Sequence, residues 1–288
     1  MTETLLSFGH GYSARVLGRQ LMAQGWRVIG TTRDADKLDE IRGEGVEAHL
    51  WPGSDLTAAL DAASHILIST APDDAGDPVL ARLRDEIAAR AGQYKWVGYL
   101  STTGVYGDHQ GGWVDEDTPL APSTRRGHQR VLAESQWQEL AAETGLPLHI
   151  FRLAGIYGPG RGPFTKVRRG AARRIVKPDQ VFSRIHVEDI AQVLMASIAH
   201  PDPGIIYNTC DDEAAPPQDV LAHAARLIGA ELPPEEDFAT AEMTPMARSF
   251  YAESKRVRND RIKSRLGVKL IYPSYREGLA ALLKAERE

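Results

Sequence analysis

Thr4-Leu5-Leu6-Ser7-Phe8-Gly9-His10-Gly11-Tyr12-Ser13-Ala14 is the stretch that decides the fold. The apolar run Thr4–Phe8 reads as a strand and ends in glycine. It leads straight into a helical pattern over Ser13–Gln24, with Val16, Leu17, Leu21 and Met22 near one stripe. Gly25 stops that helix. The turn between them fits G-x-G-x-x-A, a weak pattern alone because glycines meet by chance. Its position between a strand and a helix gives it meaning. Gly9 permits the tight turn, Gly11 lets a pyrophosphate approach the backbone, and Ala14 is small enough for close helix–strand packing. The turn Gly9, His10, Gly11, Tyr12, Ser13 and Ala14 is therefore expected to hold a dinucleotide, with free N–H groups at the helix start binding the anion.

The same alternation continues outward. Trp26–Thr31, Val46–Trp51, His65–Thr70, Lys95–Ser101, Leu148–Leu153 and Ile205–Thr209 read as strands. Asp55–Ala63, Pro78–Ala91 (closed by Gly92), Ser123–Thr144 (closed by Gly145), Val187–Ala199, Gln218–Leu227 and Ser274–Lys284 read as helices. Strands alternating with helices imply an α/β fold: a doubly wound parallel sheet of about seven strands, with ligands at the carboxyl ends of the strands. After Gly158 the pattern changes, which leaves a small mixed C-terminal lobe. The expected division is a dinucleotide-binding domain over 1–160 plus 185–210 and a discontinuous substrate lobe over 161–184 plus 211–288.

Composition narrows the class. The chain has 288 residues, 42% hydrophobic and 25% charged, enough for a sizeable core and unlike a disordered or coiled-coil chain. A net charge of −5 argues against a general nucleic-acid binder. The single cysteine, Cys210, excludes an internal disulfide, which suits a cytoplasmic location. No run approaches the length of a membrane helix, and the first residues lack the basic and apolar segments of a signal peptide. No internal repeat or metal-ligand cluster stands out.

Coenzyme choice is written at the end of the second strand. An Asp or Glu there selects NAD through the ribose hydroxyls, whereas Arg accommodates a 2′-phosphate. Here the chain reads Thr31-Thr32-Arg33-Asp34. Arg33, with Thr31 or Thr32 as a second donor, points to NADP(H) in preference to NAD(H). Asp34 and Asp36 stand against it.

Further motifs carry a family resemblance. They are Asp55-Leu56 after the third strand, Ser69-Thr70-Ala71-Pro72 after the fourth, and Leu100-Ser101-Thr102-Thr103-Gly104-Val105-Tyr106-Gly107 on the fifth. Asp115-Glu116-Asp117-Thr118-Pro119, Arg152-Leu153-Ala154-Gly155-Ile156-Tyr157-Gly158-Pro159-Gly160, Ile185-His186-Val187-Glu188-Asp189 and Tyr207-Asn208 follow in order. Over nearly its whole length the chain resembles a short-chain dehydrogenase/reductase of the extended, NAD-dependent epimerase/dehydratase type. The resemblance implies a Rossmann-type fold. It implies adenine contacts from Asp55 and Leu56, adenosine-ribose contacts from Ser69, Thr70, Ala71 and Pro72, and a catalytic Ser/Thr at Thr102.

One departure matters for the chemistry. The family's Tyr-x-x-x-Lys pair falls on Arg126-Gly127-His128-Gln129-Arg130, so the chain looks like the atypical subgroup without the standard pair. A tyrosine can pass a proton to the alkoxide that hydride transfer creates. Arginine cannot, because it has no accessible neutral form. Arg126 and Arg130 lie four apart on one helical face. Arg130 can bond the nicotinamide ribose as the lysine does, and Arg126 can clamp a carboxylate or phosphate or steady an oxyanion. Among replacement proton donors Tyr106 is the best placed in sequence. His186 reads as a structural histidine beside Asp189.

Residues 161–184 hold eight basic groups against Asp179 alone, a net +7 that leaves −12 on the remainder. In the family this region lies over the cleft, so Tyr157, Arg161 and Arg184 are expected to touch a small anionic or nucleotide-linked substrate. The resemblance also implies a homodimer through a four-helix interface built from Pro78–Ala91 and Arg126–Glu143. Two functional readings remain open. One is an NADP(H)-dependent oxidoreductase or epimerase-like enzyme with an unorthodox site, and the other a non-catalytic NADP(H)-binding sensor.

Overall fold

The computed structural model describes residues 2–286; Met1, Arg287 and Glu288, at the ends of the expected 1–160 and 211–288 segments, lie outside the described residues. Seven strands form the central sheet: β1 Thr4–Phe8, β2 Arg27–Thr32, β3 Glu47–Leu50, β4 His65–Ile68, β5 Trp96–Thr102, β6 Leu148–Leu153 and β7 Ile206–Thr209. Their order is β7-β6-β5-β4-β1-β2-β3, and every neighbouring pair is parallel. In the register, Ser7 of β1 faces Gly30 of β2 on one side and Leu67 of β4 on the other. The strand order reverses at β1, and the crevice of a doubly wound sheet opens at the carboxyl end of such a point.

Both faces of the sheet are covered, which is why its strands are apolar almost throughout. Leu5, Leu67, Leu100 and Phe151 pack with Leu17 and Leu21 of the Tyr12–Ala23 helix and with Ile190 and Leu194 of the Val187–Ala199 helix. Their strand neighbours Leu6, Phe8, Ile66, Ile68 and Tyr99 point the other way, against Leu80, Ile87, Trp137 and Leu140. The latter come from the Leu80–Ala88 and Arg125–Thr144 helices. A third cluster joins Tyr157 and Phe164 to Ala224 of the Pro217–Leu227 helix and to Leu279 and Leu282 of the Tyr275–Ala285 helix.

Gly145, at φ +73°, closes the long helix as its sequence predicts. The helix expected over Pro78–Ala91 is shorter. Asp77 Oδ1 accepts from the N–H groups of Val79 and Leu80 at 2.8 and 3.3 Å, and regular structure ends at Ala88. Gly92 lies inside a separate 3₁₀ turn, Ala91–Gln93, and terminates nothing. The structure adds short parallel strand pairs: Gly155–Tyr157 with Arg184–His186, Arg174–Val176 with Glu235–Asp237, and Trp113–Val114 with Arg256–Val257. These pairs stitch the later chain to the carboxyl edge of the sheet.

Four buried histidines make an acid-sensitive core. Burial lowers His10, His65, His149 and His186 from 6.5 to about 4. The folded chain keeps them neutral, while the unfolded chain protonates them below pH 6.5. Their contribution to stability is therefore full above pH 6.5 and falls as pH drops toward 4, by up to about 1.4 kcal/mol per pH unit for each histidine, offset in part by Asp211, which burial raises to about 8. Urea midpoints measured between pH 7.5 and 4 should decline through that window; a flat profile contradicts the assignment.

Candidate active site

The dinucleotide edge is built on β1. Gly9 adopts φ +75°, and a Cβ there would meet Thr70 N at 3.1 Å, so the turn lies directly against the end of β4. Gly9 N donates to Thr31 Oγ1 (2.9 Å) and His10 N to Thr31 O (2.7 Å). The Tyr12–Ala23 helix starts at Gly11 with no side-chain cap and no acid in its first turn. Its first N–H groups are thus open to an anion, and the turn fits a pyrophosphate.

Several residues of this edge have other work. The His10 side chain is buried against Gly18 and Gly30, so it is a packing group and not a cofactor contact. Thr31 is buried and its Oγ1 accepts from Gly9 N, whereas the half-buried Thr32 accepts from Asp34 N through Oγ1 (3.1 Å). Leu56 is core, and Asp55 Oδ1 accepts from Thr57 Oγ1 (2.7 Å) and Thr57 N (2.9 Å) at the start of the Thr57–Ala62 helix, bonds that lower its pKa. Arg33 is exposed and makes no ion pair among the described residues. Asp34 Oδ1 accepts from Asp36 N (3.2 Å), and its Oδ2 lies 3.5 Å from Lys37 Nζ.

Beside this edge lies a cavity of about 610 Å³, lined from β5 by Thr102 and from the long helix by Arg126, Gly127 and Arg130. Thr124 starts that helix by capping Gly127 N through Oγ1 at 3.1 Å. Gly127 then lies against the Thr103–Tyr106 turn, where a Cβ would meet Gly104 O at 2.9 Å. That close approach sets the two arginines beside Thr102. Thr102 Oγ1 accepts from Gly104 N (3.2 Å), leaving its hydroxyl proton to donate. Arg130 Nη1 donates to Leu100 O (2.8 Å) and Tyr99 Oη (3.1 Å), with a longer bond to Thr70 O (3.4 Å). The Arg126 guanidinium lies 5.0 Å from the Phe250 ring centre.

The opposite wall comes from later chain. Arg184 Nη1 donates to Phe182 O (2.8 Å) and Ala215 O (3.0 Å). Lys255 is buried; its Nζ donates to Gly107 O (2.6 Å) and Glu253 Oε2 (2.7 Å). Glu253 Oε1 accepts from Ser123 Oγ (2.7 Å). The cavity thus gathers Arg126, Arg130, Arg184 and Lys255 around one carboxylate, Glu253. Lys255 and Glu253 belong to no motif recognised in the sequence, and no local signal marks them.

Three expectations are corrected. Tyr106 is fully buried behind the cavity, donating to Asn208 Oδ1 (2.7 Å) and accepting from Arg152 Nη1 (3.0 Å). Burial pushes it up to about 12, so it is no proton donor to substrate. Arg161 does not line the cavity; it lies over Tyr12 at the dinucleotide turn. The basic stretch is not a wall facing substrate. Arg173 and Arg174 pair with Glu236 and Glu235 (3.0 and 2.7 Å), Arg168 pairs with Glu286, and Lys177 donates to Tyr251 O. Of those eight basic residues only Arg184 reaches the cavity. Tyr157 also lines it, with its hydroxyl turned to Ser274 O at 3.3 Å and its pKa raised by burial. His186 is structural, its Nδ1 accepting from Glu188 N at the start of the following helix.

The model of the NAD dependent epimerase/dehydratase family matches residues 8–210. The chain belongs to this family. Among curated relatives of this epimerase/dehydratase chain, the Escherichia coli (strain K12) protein YeeZ is 32% identical over 240 residues, covering 78% of this chain and 84% of YeeZ. A Streptomyces 3-diazoavenalumate denitrifying reductase is 31% identical over 180 residues, 58% of each chain. A solved Silicibacter pomeroyi protein described as functionally unknown is 65% identical, with TM-score 0.94 over the full length of both chains. The Bacillus cereus UDP-glucuronic acid 4-epimerase, solved with NAD, shares the fold at TM-score 0.77 and 15% identity, over 99% of this chain and 100% of that one. Like other members of the family, the chain has a seven-stranded Rossmann-like sheet, and none of its described helices is long and apolar enough to cross a membrane.

Proposed function

We propose that this chain is an NADP(H)-dependent reductase of a small, carboxylate-bearing acceptor, working without a tyrosine acid. One observation carries the reading. Arg126, Arg130, Arg184 and Lys255 surround a cavity beside the dinucleotide turn, against the single acid Glu253. A cavity of about 610 Å³ suits a small molecule. Its excess of positive charge favours an anion, and arginine meets a carboxylate with paired hydrogen bonds. The bound nicotinamide supplies the hydride, and the chain's residues do the rest. Thr102 orients the acceptor through its hydroxyl. Arg126 and Arg130 hold the carboxylate of the acceptor and release no proton.

Such a site suits acceptors whose reduction needs no protein acid. The Streptomyces relative is named as a reductase that removes nitrogen from a diazo compound. When an arenediazonium ion accepts hydride, a C–H bond forms while the C–N electron pair leaves with N₂, and no proton is taken up. Diazonium carboxylic acids are therefore the first acceptors to try, and conjugated enone acids, whose enolate takes its proton from solvent water, the second. Preference for NADP(H) belongs to the same reading, because Arg33 is free of ion pairs and Asp34 is bonded to Asp36 N. So does a homodimer through the Leu80–Ala88 and Arg125–Thr144 helices, where Leu132 is exposed. A cytoplasmic enzyme with a single buried, unpaired cysteine fits this picture.

The test uses NADPH deuterated at the nicotinamide C4 with each acid and its methyl ester. Label is expected in the product from the acid and at least tenfold more slowly from the ester, which lacks the charge that the arginines hold.

A further inference from the structure

We propose that Arg161 is an anion clamp of the dinucleotide site, reaching from the 158–161 loop to hold the pyrophosphate against the glycine-rich turn. The loop is latched to the helix that opens this site. Tyr12, the first residue of that helix, donates its hydroxyl to Pro159 O at 2.8 Å. Gly158 makes room for the latch: at φ +152° it has no Cβ, and one would lie 2.5 Å from Tyr12 Oη. Reciprocal backbone bonds between Gly158 and Arg161 (3.2 and 2.9 Å) close the loop. The Arg161 guanidinium then lies 4.3 Å from the Tyr12 ring centre.

The electrostatics of this placement favour an anion. A helix start carries partial positive charge, and a cation held there is disfavoured unless negative charge lies between. Arg161, like Lys166 and Arg169 of the same stretch, is exposed and makes no ion pair among the described residues; its stacking over Tyr12 at the helix start sets it apart. Of the other charges that act on Tyr12, Glu188 and Arg19 are of opposite sign and offset each other. Arg15 is tied to Glu40 (2.6 Å) and Glu44 (3.3 Å). Glu188 accepts from Gln20 Nε2 (3.1 Å). The cation–π contact with Tyr12 fixes the guanidinium at a modest cost in solvation. The clamp rests on dinucleotide binding and not on coenzyme preference or turnover.

Calorimetric titration with NADPH, NADH and ADP-ribose tests it, since all three share the pyrophosphate. Arg161→Gln should weaken all three by a similar factor, at least tenfold, with an unchanged melting temperature in the absence of ligand. Arg33→Ala should weaken NADPH alone, which keeps the clamp distinguishable from the 2′-phosphate reading. Arg168→Gln, which removes a cation of the same stretch, should leave all three affinities as they were. Affinities within twofold of wild type in Arg161→Gln, or an equal loss in Arg168→Gln, overturn the clamp. Failure of the wild-type chain to bind any of the three overturns both the clamp and the cofactor site beneath it.

Discussion

Replacing Glu134 by alanine lowers the unfolding free energy by about 3–5 kcal/mol. Glu134 and Arg152 are 1% and 3% exposed and meet beneath the cavity, Arg152 Nη2 to Glu134 Oε2 at 2.8 Å and Nε to Oε1 at 3.2 Å. Ser101 Oγ donates to Glu134 Oε1 at 2.5 Å. Arg152 continues to Tyr106 and through it to Asn208. The network joins the long helix to β5, β6 and β7, so it fixes the base on which Thr102 and Arg130 stand. Removing the carboxylate strands a buried guanidinium, and that uncompensated charge, more than the lost attraction, sets the size of the effect. Urea unfolding of Glu134→Ala measures it; a loss below about 1 kcal/mol contradicts the account.

If the proposed preference for NADPH holds, Arg33→Asp is expected to invert it. In the wild-type chain Arg33 is the free charge at the carboxyl end of β2, and a 2′-phosphate there gains a charge-assisted contact worth about tenfold or more in affinity. Aspartate removes that contact, repels the phosphate and offers an acceptor to the ribose hydroxyls. The ratio of NADPH to NADH affinity should therefore swing by about a hundredfold or more, from favouring NADPH to favouring NADH. Titration of both coenzymes into both proteins reads it. A wild-type chain that binds NADH as tightly as NADPH removes Arg33 from the argument.

The sheet was legible because its strands are apolar runs of four to seven residues, each bounded by a turn or helix signal. The Arg184–His186 and Trp113–Val114 strands are too short to show a period, and their partners lie far along the chain. The same blindness misread the basic stretch. A local charge count sees eight cations over 161–184, while the acids that pair with three of them, Glu235, Glu236 and Glu286, arrive much later in sequence. Tyr106 looked like a replacement acid because its motif borders the cleft, yet its ring turns inward to Asn208 and Arg152. Lys255 and Glu253 had no motif at all; only the folding of the C-terminal lobe onto Gly107 and Ser123 brings them to the cavity. Arg126 and Arg130 were the readable half of the site, since their spacing on one helical face follows from sequence.

On the proposed reading, a cation-lined cavity beside the dinucleotide turn directs hydride to a carboxylate-bearing acceptor without a tyrosine. Single-turnover transfer from C4-deuterated NADPH to a diazonium or enone carboxylic acid tests it most directly. The account predicts deuterium in the product from one face of the nicotinamide only, and at least a tenfold loss of rate in both Arg126→Ala and Arg184→Ala while NADPH affinity stays within threefold of wild type. NADPH bound tightly by the wild-type chain, with no deuterium leaving it for any acceptor, contradicts the claim and identifies a binding protein instead.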